Sequence, residues 1–221
     1  MNKKSITFFV LGGIFLAFFA ILTVALLFID VRTIGPEGSS IGFATLNGAY
    51  AEGIGVNMLC YDIAEILGYL IFAFVGFFAV LGVIQLIKRK KLFAVDREIL
   101  LLGVFYAAVA AVYVAFELVV VNYRPILIEG ELEASYPSSH TLLAICVVAT
   151  AIVALHKIFG AKKWVICLDV VSSLAMTATV VFRAISGVHW LTDILAGIIL
   201  SLALVFLYCG AVEIEKKELD K

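Results

Sequence analysis

The sequence predicts an all-α membrane protein, a bundle of six transmembrane helices with both termini in the cytoplasm. Three observations carry this expectation: the composition, six long apolar runs, and a lopsided placement of basic residues. Of 221 residues, 64% are hydrophobic and 15% are charged, and the mean hydropathy is +1.14. Soluble domains run at about 45–50% apolar and about 25% charged, so the chain belongs in a bilayer. The net charge of −1 says less than where the charges lie, and no nucleic-acid partner is expected. The whole chain, 1–221, reads as one membrane domain.

The first run, Ile6 to Ile29, follows Asn2-Lys3-Lys4 and begins like a signal peptide. It exceeds the apolar core of one, about 7–15 residues, and no small-residue cleavage site closes it, so it is expected to remain as a span. A polar, Gly-rich connection follows from Asp30 to about Asn57. In it, Ile34-Gly-Pro-Glu-Gly-Ser-Ser-Ile-Gly reads as turns, and Phe43 to Tyr50 suits a short interfacial helix. The second run extends from Leu59 to Ile87 and ends in Lys88-Arg89-Lys90-Lys91. The third covers Ile99 to Val121, the fourth Thr141 to Leu155, the fifth Trp164 to Phe182 and the sixth Leu191 to Val212, before a charged tail from Glu213 to Lys221. Cys60, Cys146, Cys167 and Cys209 are scattered without metal-ligand spacing and read as small buried apolar residues.

Basic residues set the orientation. With the N-terminus inside, the inner segments hold Lys3, Lys4, the Lys88–Lys91 cluster, Arg97, Lys157, Lys162, Lys163 and the tail lysines Lys216, Lys217 and Lys221. The outer side keeps only Arg32, Arg124 and Arg183. Positive charge collects on the cytoplasmic side of membrane proteins, so both termini are placed there.

The sparse outer side also holds the unusual chemistry. Arg183-Ala-Ile-Ser-Gly-Val-His189-Trp-Leu-Thr-Asp193 joins the fifth and sixth spans. If residues 189–193 are helical, His189 and Asp193 share a face one turn apart. A carboxylate there can hold one imidazole nitrogen and leave the other free to attack or to carry a proton. Arg183 adds a charged fork suited to phosphate or carboxylate. Between the third and fourth spans lie Asn122-Tyr123-Arg124-Pro125 and Tyr136-Pro137-Ser138-Ser139-His140. Pro137 can open a helix, placing the Ser138 and Ser139 amides and His140 at a positively polarised N-terminus, an anion site. Each stretch alone has a plainer reading, interfacial anchoring for the first and a simple N-cap for the second. Two arginines, a helix N-terminus and two histidines on one side suit phosphoryl transfer.

These residues resemble the type 2 phosphatidic acid phosphatase superfamily of integral membrane lipid phosphatases. Its pattern is Lys-x6-Arg-Pro, then Pro-Ser-Gly-His, then Ser-Arg-x5-His-x3-Asp. The chain supplies Arg124-Pro125, Pro137-Ser138-Ser139-His140, and Arg183, His189 and Asp193 at the family spacing. The resemblance, with motifs spread over 117–193, implies an outward-facing phosphatase in a bacterial-type plasma membrane. Its lipid phosphate or pyrophosphate substrate would be of the phosphatidic acid, phosphatidylglycerol phosphate or undecaprenyl pyrophosphate kind. His189 would attack phosphorus to form a phosphohistidine, with Asp193 orienting it. His140 would protonate the leaving oxygen and later activate water. Arg124, Arg183 and the amides of Ser138 and Ser139 would hold the phosphate, without metal or cofactor. A non-catalytic lipid-phosphate-binding protein and a phosphotransferase on the same fold are the alternatives.

Three positions depart from the pattern: Glu117 replaces lysine, Ser139 glycine and Phe182 serine. Glu117 lies about 10 Å deeper than Arg124 along a helix. An ionised Glu117 repels phosphate, unless it pairs with Arg124 or Arg183, is neutralised by desolvation, or selects a substrate bearing an amine or sugar hydroxyl. Glu65 and Asp169, the other acids in apolar runs, are expected to be interfacial rather than catalytic.

Overall fold

The computed structural model describes residues 1–214, so most of the expected tail, with Lys216, Lys217 and Lys221, lies outside the described residues. The helices are α1 (Lys3–Phe28), α2 (Ala44–Ile54), α3 (Met58–Arg89), α4 (Arg97–Leu118), α5 (Ser139–Phe159), α6 (Lys163–Ile185) and α7 (Leu191–Val212). All but α2 are long and apolar enough to cross a bilayer, which gives the six expected spans. The protein is thus an all-helical, multi-pass membrane protein. The third span stops at Leu118, short of Val121, and the fourth begins at Ser139, ahead of Thr141. Helix α2 starts one residue later and ends four residues further on than the stretch expected to form it. Cys60 and Cys146 are buried as expected, but Cys167 is exposed on α6.

The bundle is built around α5 and α7. Half of the residues in their most apolar stretches are buried, against 17% in each other span. Lipid tails are as apolar as leucine, so helices associate through close packing of small residues instead of escape from water. Gly197 on α7 shows this: a Cβ there would lie 3.0 Å from the Ser138 carbonyl oxygen and 3.1 Å from the Thr141 Cβ. That approach brings the first turns of α5 and α7 together. Helix α1 lies along α7, with Gly12 against Leu207 and Gly210 against the Phe9 ring, and α6 packs on α3 and α5.

One end of the bundle is tied by polar contacts of the basic residues. Arg97 donates to the carbonyls of Ala211 at 2.6 Å and Ile214 at 2.7 Å, satisfying the C-terminus of α7. Lys157 and Lys4 both pair with Glu213, at 2.7 and 3.3 Å, and Asp169 pairs with His156 at 2.6 Å. Asp169 is thus paired at this end of the bundle and not among the site residues described below. The starts of α5 and α7 and the end of α6 lie at the opposite end.

A leucine at position 12 would meet Leu207, whose Cδ2 is already 2.8 Å from an added Cβ, and the Ala203 carbonyl at 3.1 Å. Gly12→Leu should cost about 1–3 kcal/mol by overpacking. A lower thermal unfolding midpoint in detergent checks this, and an unchanged midpoint would contradict the close α1–α7 contact.

Candidate active site

Three chain segments converge at the end opposite the basic contacts. The first is the connection from α4 to α5, which folds as a hairpin. Ile128 and Glu131 exchange backbone hydrogen bonds of 3.2 and 2.9 Å around Glu129-Gly130, both at positive φ. That is the two-residue turn whose twist suits paired strands. Pairing continues where the Arg124 amide donates to Glu133 and the Ser135 amide to Asn122. The hairpin sets Arg124 at 8% exposure, with its Nε 2.8 Å from the Glu133 carboxylate.

The second segment is the turn from α6 into α7. Gly187 has φ +71°, and a Cβ there would fall 1.9 Å from the Gly55 carbonyl oxygen, so the turn needs glycine both for its backbone and for space. The connection after α1 braces it. The Asn57 amide donates to Ser186 at 2.9 Å, Asn47 bonds Thr192 at 3.0 Å, and the Tyr50 hydroxyl donates to the Ala184 carbonyl. His189 precedes Trp190, the N-cap of α7, and Asp193 lies in the first turn. The two side chains therefore meet across a helix start, and not along a helical face as the spacing suggested. His189 Nδ1 lies 3.6 Å from Asp193 Oδ2, a contact rather than a full hydrogen bond. Asp193 also accepts from the Trp190 amide at 3.0 Å and the Asn122 side chain at 3.4 Å.

The third segment is the start of α5. Ser138 is the N-cap, and its amide donates to the Asp193 carbonyl at 3.0 Å. That amide is thus committed to joining α5 to α7, which corrects its expected phosphate contact. The amides of Ser139, His140 and Thr141 follow in the first turn, where no helical carbonyl is available to them. His140 projects from this turn toward Arg183.

Arg183 is fully buried. Its Nη2 donates to Glu65 Oε1 and to His140 Nδ1, each at 2.5 Å, and the guanidinium lies over the Tyr61 ring at 4.8 Å. Its Nε and Nη1 have no partner, so a buried cation keeps donors free for an anion. Arg124 Nη1 lies 3.3 Å from His189 Nε2. A guanidinium cannot accept, so the lone pair of His189 is on Nε2 and its proton on Nδ1, facing Asp193.

The structure brings Arg124, Ser139, His140, Arg183, His189 and Asp193 to one place. Glu117 lines a narrow cleft with His189, Ser135 and Ser139, yet the carboxylate partners of Arg124 and Arg183 are Glu133 and Glu65. Of the alternatives for Glu117, the pairing with Arg124 or Arg183 is not what forms. Glu65 is the larger correction, because it bonds both Arg183 and His140 and so lies inside the cluster. Its signal was the cost of a carboxylate within a span. Asn122 and the bracing connection after α1 gave none.

Residues 122–215 match the sequence model of the PAP2 superfamily. The matched segment starts at Asn122 and contains Arg124, His140, Arg183, His189 and Asp193; Glu65 and Glu117 lie ahead of it. The fold is similar to the crystal structure of a transmembrane PAP2-type phosphatidylglycerolphosphate phosphatase from Bacillus subtilis. The TM-score is 0.66 at 20% identity, over 93% of this chain and 98% of that one. No curated protein matches the chain by sequence.

Burial, together with the charges of Arg124 and Arg183, holds His189 well below the ordinary histidine value. A group so depressed stays neutral through the pH range where a free histidine, with a pKa of about 6.5, gains its proton. Nitrogen-15 NMR of labelled protein should show His189 neutral, with the proton on Nδ1, at pH 6. A titration centred near that of a free histidine would contradict the burial and the arginine contact.

Proposed function

We propose that the protein is an integral membrane phosphatase that hydrolyses a lipid phosphate or pyrophosphate at the outer face of a plasma membrane. The observation that carries this reading is the arrangement of His189. Its Nδ1 is turned to Asp193, and its Nε2 lone pair lies beside Arg124, in the same buried cluster as the free donors of Arg183. A protein that only bound phosphate would need the cations and not a histidine held in this way. The basic end of the bundle is assigned to the cytoplasm and the cluster to the outside.

In the proposed reaction Arg124, Arg183 and the first-turn amides of α5 receive the phosphate oxygens. His189 Nε2 attacks phosphorus in line as the bond to the leaving oxygen breaks, and His140 gives that oxygen a proton. The product of this step is a phosphohistidine, and its imidazolium faces Asp193. His140, now without that proton, takes one from a water molecule as the water oxygen attacks phosphorus, which releases phosphate and restores His189. Two guanidiniums supply positive charge where the transferring group bears negative charge, so no metal ion is called for. Catalytic hydrogen bonds commonly tighten in the reacting complex, which accommodates the 3.6 Å separation of His189 and Asp193.

Glu117 shares a cleft with His189 and would disfavour a bare phosphate approaching from that side. It suits a substrate whose headgroup presents a hydroxyl or an amine there.

The test is phosphate release by purified protein in detergent on phosphatidic acid, phosphatidylglycerol phosphate and a polyprenyl pyrophosphate. His189→Ala should reduce turnover of the accepted lipid by about 10³-fold or more, as expected for loss of a nucleophile. Equal release by wild type and variant would overturn the nucleophile assignment. No release from any of the lipids would leave a binding function.

A further inference from the structure

Glu65 bonds two members of the cluster, Arg183 and His140, and the proposed chemistry gives it no role. It lies within span α3, where an ionisable group is costly, and its side chain is only 22% exposed. The plain explanation is a counter-ion for Arg183, since a fully buried guanidinium needs one. That accounts for Oε1, at 2.5 Å from Arg183 Nη2, but not for Oε2, which lies 3.1 Å from His140 Nε2.

Arg183 also reaches the other nitrogen of the same ring, Nδ1, at 2.5 Å. A guanidinium only donates, so Nδ1 is the acceptor and Nε2 carries the proton that Glu65 receives. His140 is therefore held between a carboxylate and an arginine. His189 is held in the same way, with Nδ1 toward Asp193 and Nε2 toward Arg124. In each histidine one nitrogen faces an acid and the other faces a cation suited to phosphate.

The backbone of α3 is fitted to this arrangement. Gly68 follows Glu65 by three residues, on the same helical face, and a Cβ at position 68 would lie 3.0 Å from His140 Cδ2. The absent side chain leaves room for the His140 ring to lie against α3 with Nε2 within reach of Glu65.

We propose that Glu65 is the positioning carboxylate of His140, serving the acid–base histidine as Asp193 serves the nucleophile. The inference rests on the phosphatase reading above. Substrate phosphate draws the Arg183 donors onto its own oxygens and frees Nδ1. Nδ1 then takes a proton from solvent while Glu65 holds the Nε2–H. The carboxylate offsets the repulsion that two neighbouring guanidiniums exert on a protonated imidazole. As His189 Nε2 bonds to phosphorus and the phosphorus–oxygen bond breaks, the Nδ1 proton passes to the leaving oxygen and His140 returns to its neutral form. In the second half, Nδ1 takes the proton of the attacking water. Glu65 touches neither substrate nor the transferring proton and acts through the ring it holds.

A leaving-group comparison separates this role from that of a counter-ion. An alkoxide needs a proton to depart and a nitrophenolate does not, and kcat/KM reports the steps through departure of the leaving group. For Glu65→Gln, kcat/KM on dioctanoyl phosphatidic acid should fall about 10²-fold, within the usual range for general acid catalysis, and on p-nitrophenyl phosphate less than about 10-fold. Glu65→Asp, which keeps the charge, should show the same split at smaller size and supplies the test if the glutamine variant does not fold. In a His140→Ala background, Glu65→Gln should cost no more on the lipid than on p-nitrophenyl phosphate, and a larger loss on the lipid there would overturn the role. Equal losses on both substrates, or no loss on either, with an active wild type would overturn the role of Glu65 alone. A wild type inactive on both substrates would overturn the phosphatase reading and this inference with it.

Discussion

The structure depends on how a guanidinium is accommodated with no exposure to solvent. Arg183 ends span α6 fully buried, and a bare charge in such a place is strongly unfavourable. Its neutralisation requires the Glu65 carboxylate from α3, the His140 ring from α5 and the face of Tyr61. Three spans are thereby fixed at one height. The turn that follows Arg183 is fixed too, because Gly187 abuts the Gly55 backbone and Asn57 bonds Ser186. The connection after α1, which reads as turns and a short interfacial helix, is a brace for this turn. Asp30 anchors that brace by receiving the Thr45 amide, which holds its carboxyl below the usual carboxylate value.

Around that charge the molecule places two histidines in matched surroundings. Each lies between an acid and an arginine, and each belongs to the start of a helix that has its own reason to begin there. The Asp193 carbonyl and the Ser138 amide join the two starts at 3.0 Å, and Gly197 lets the helices approach closely enough for that bond. Position here comes from backbone contacts between packed spans, which are stiffer than loops. Such stiffness suits the proposed phosphoryl transfer, because misplacing a reacting group by about 1 Å costs on the order of 10²-fold in rate.

Much of this was legible in the sequence, and the parts that were not have physical reasons. The six spans follow from hydropathy, because a bilayer leaves few alternatives to apolar helices. Arg124, His140, Arg183, His189 and Asp193 stand out as polar groups at the less basic ends of those spans. The backbone between them was harder to read. His189 precedes α7 instead of lying in it, and the Ser138 amide serves α7 rather than an anion. The hairpin bearing Arg124 turns on Glu129-Gly130, a weaker signal than Asn-Gly. Glu65 was visible as an acid in a span, but its partner His140 is 75 residues away and nothing local links them. Glu117 remains the departure with the least structural explanation, lining the cleft beside His189 without an arginine of its own.

The account stands on His189 acting through Nε2 as a nucleophile and not as one more phosphate contact. The most direct measurement is to quench the protein into alkali during incubation with a lipid phosphate from which it releases phosphate and to map bound phosphate by mass spectrometry, since phosphohistidine survives base. The account predicts phosphate on the peptide containing His189, attached to the imidazole, and its absence in Asp193→Asn protein quenched at the same time. Turnover with no phosphate on His189, or with phosphate on another side chain, would contradict it.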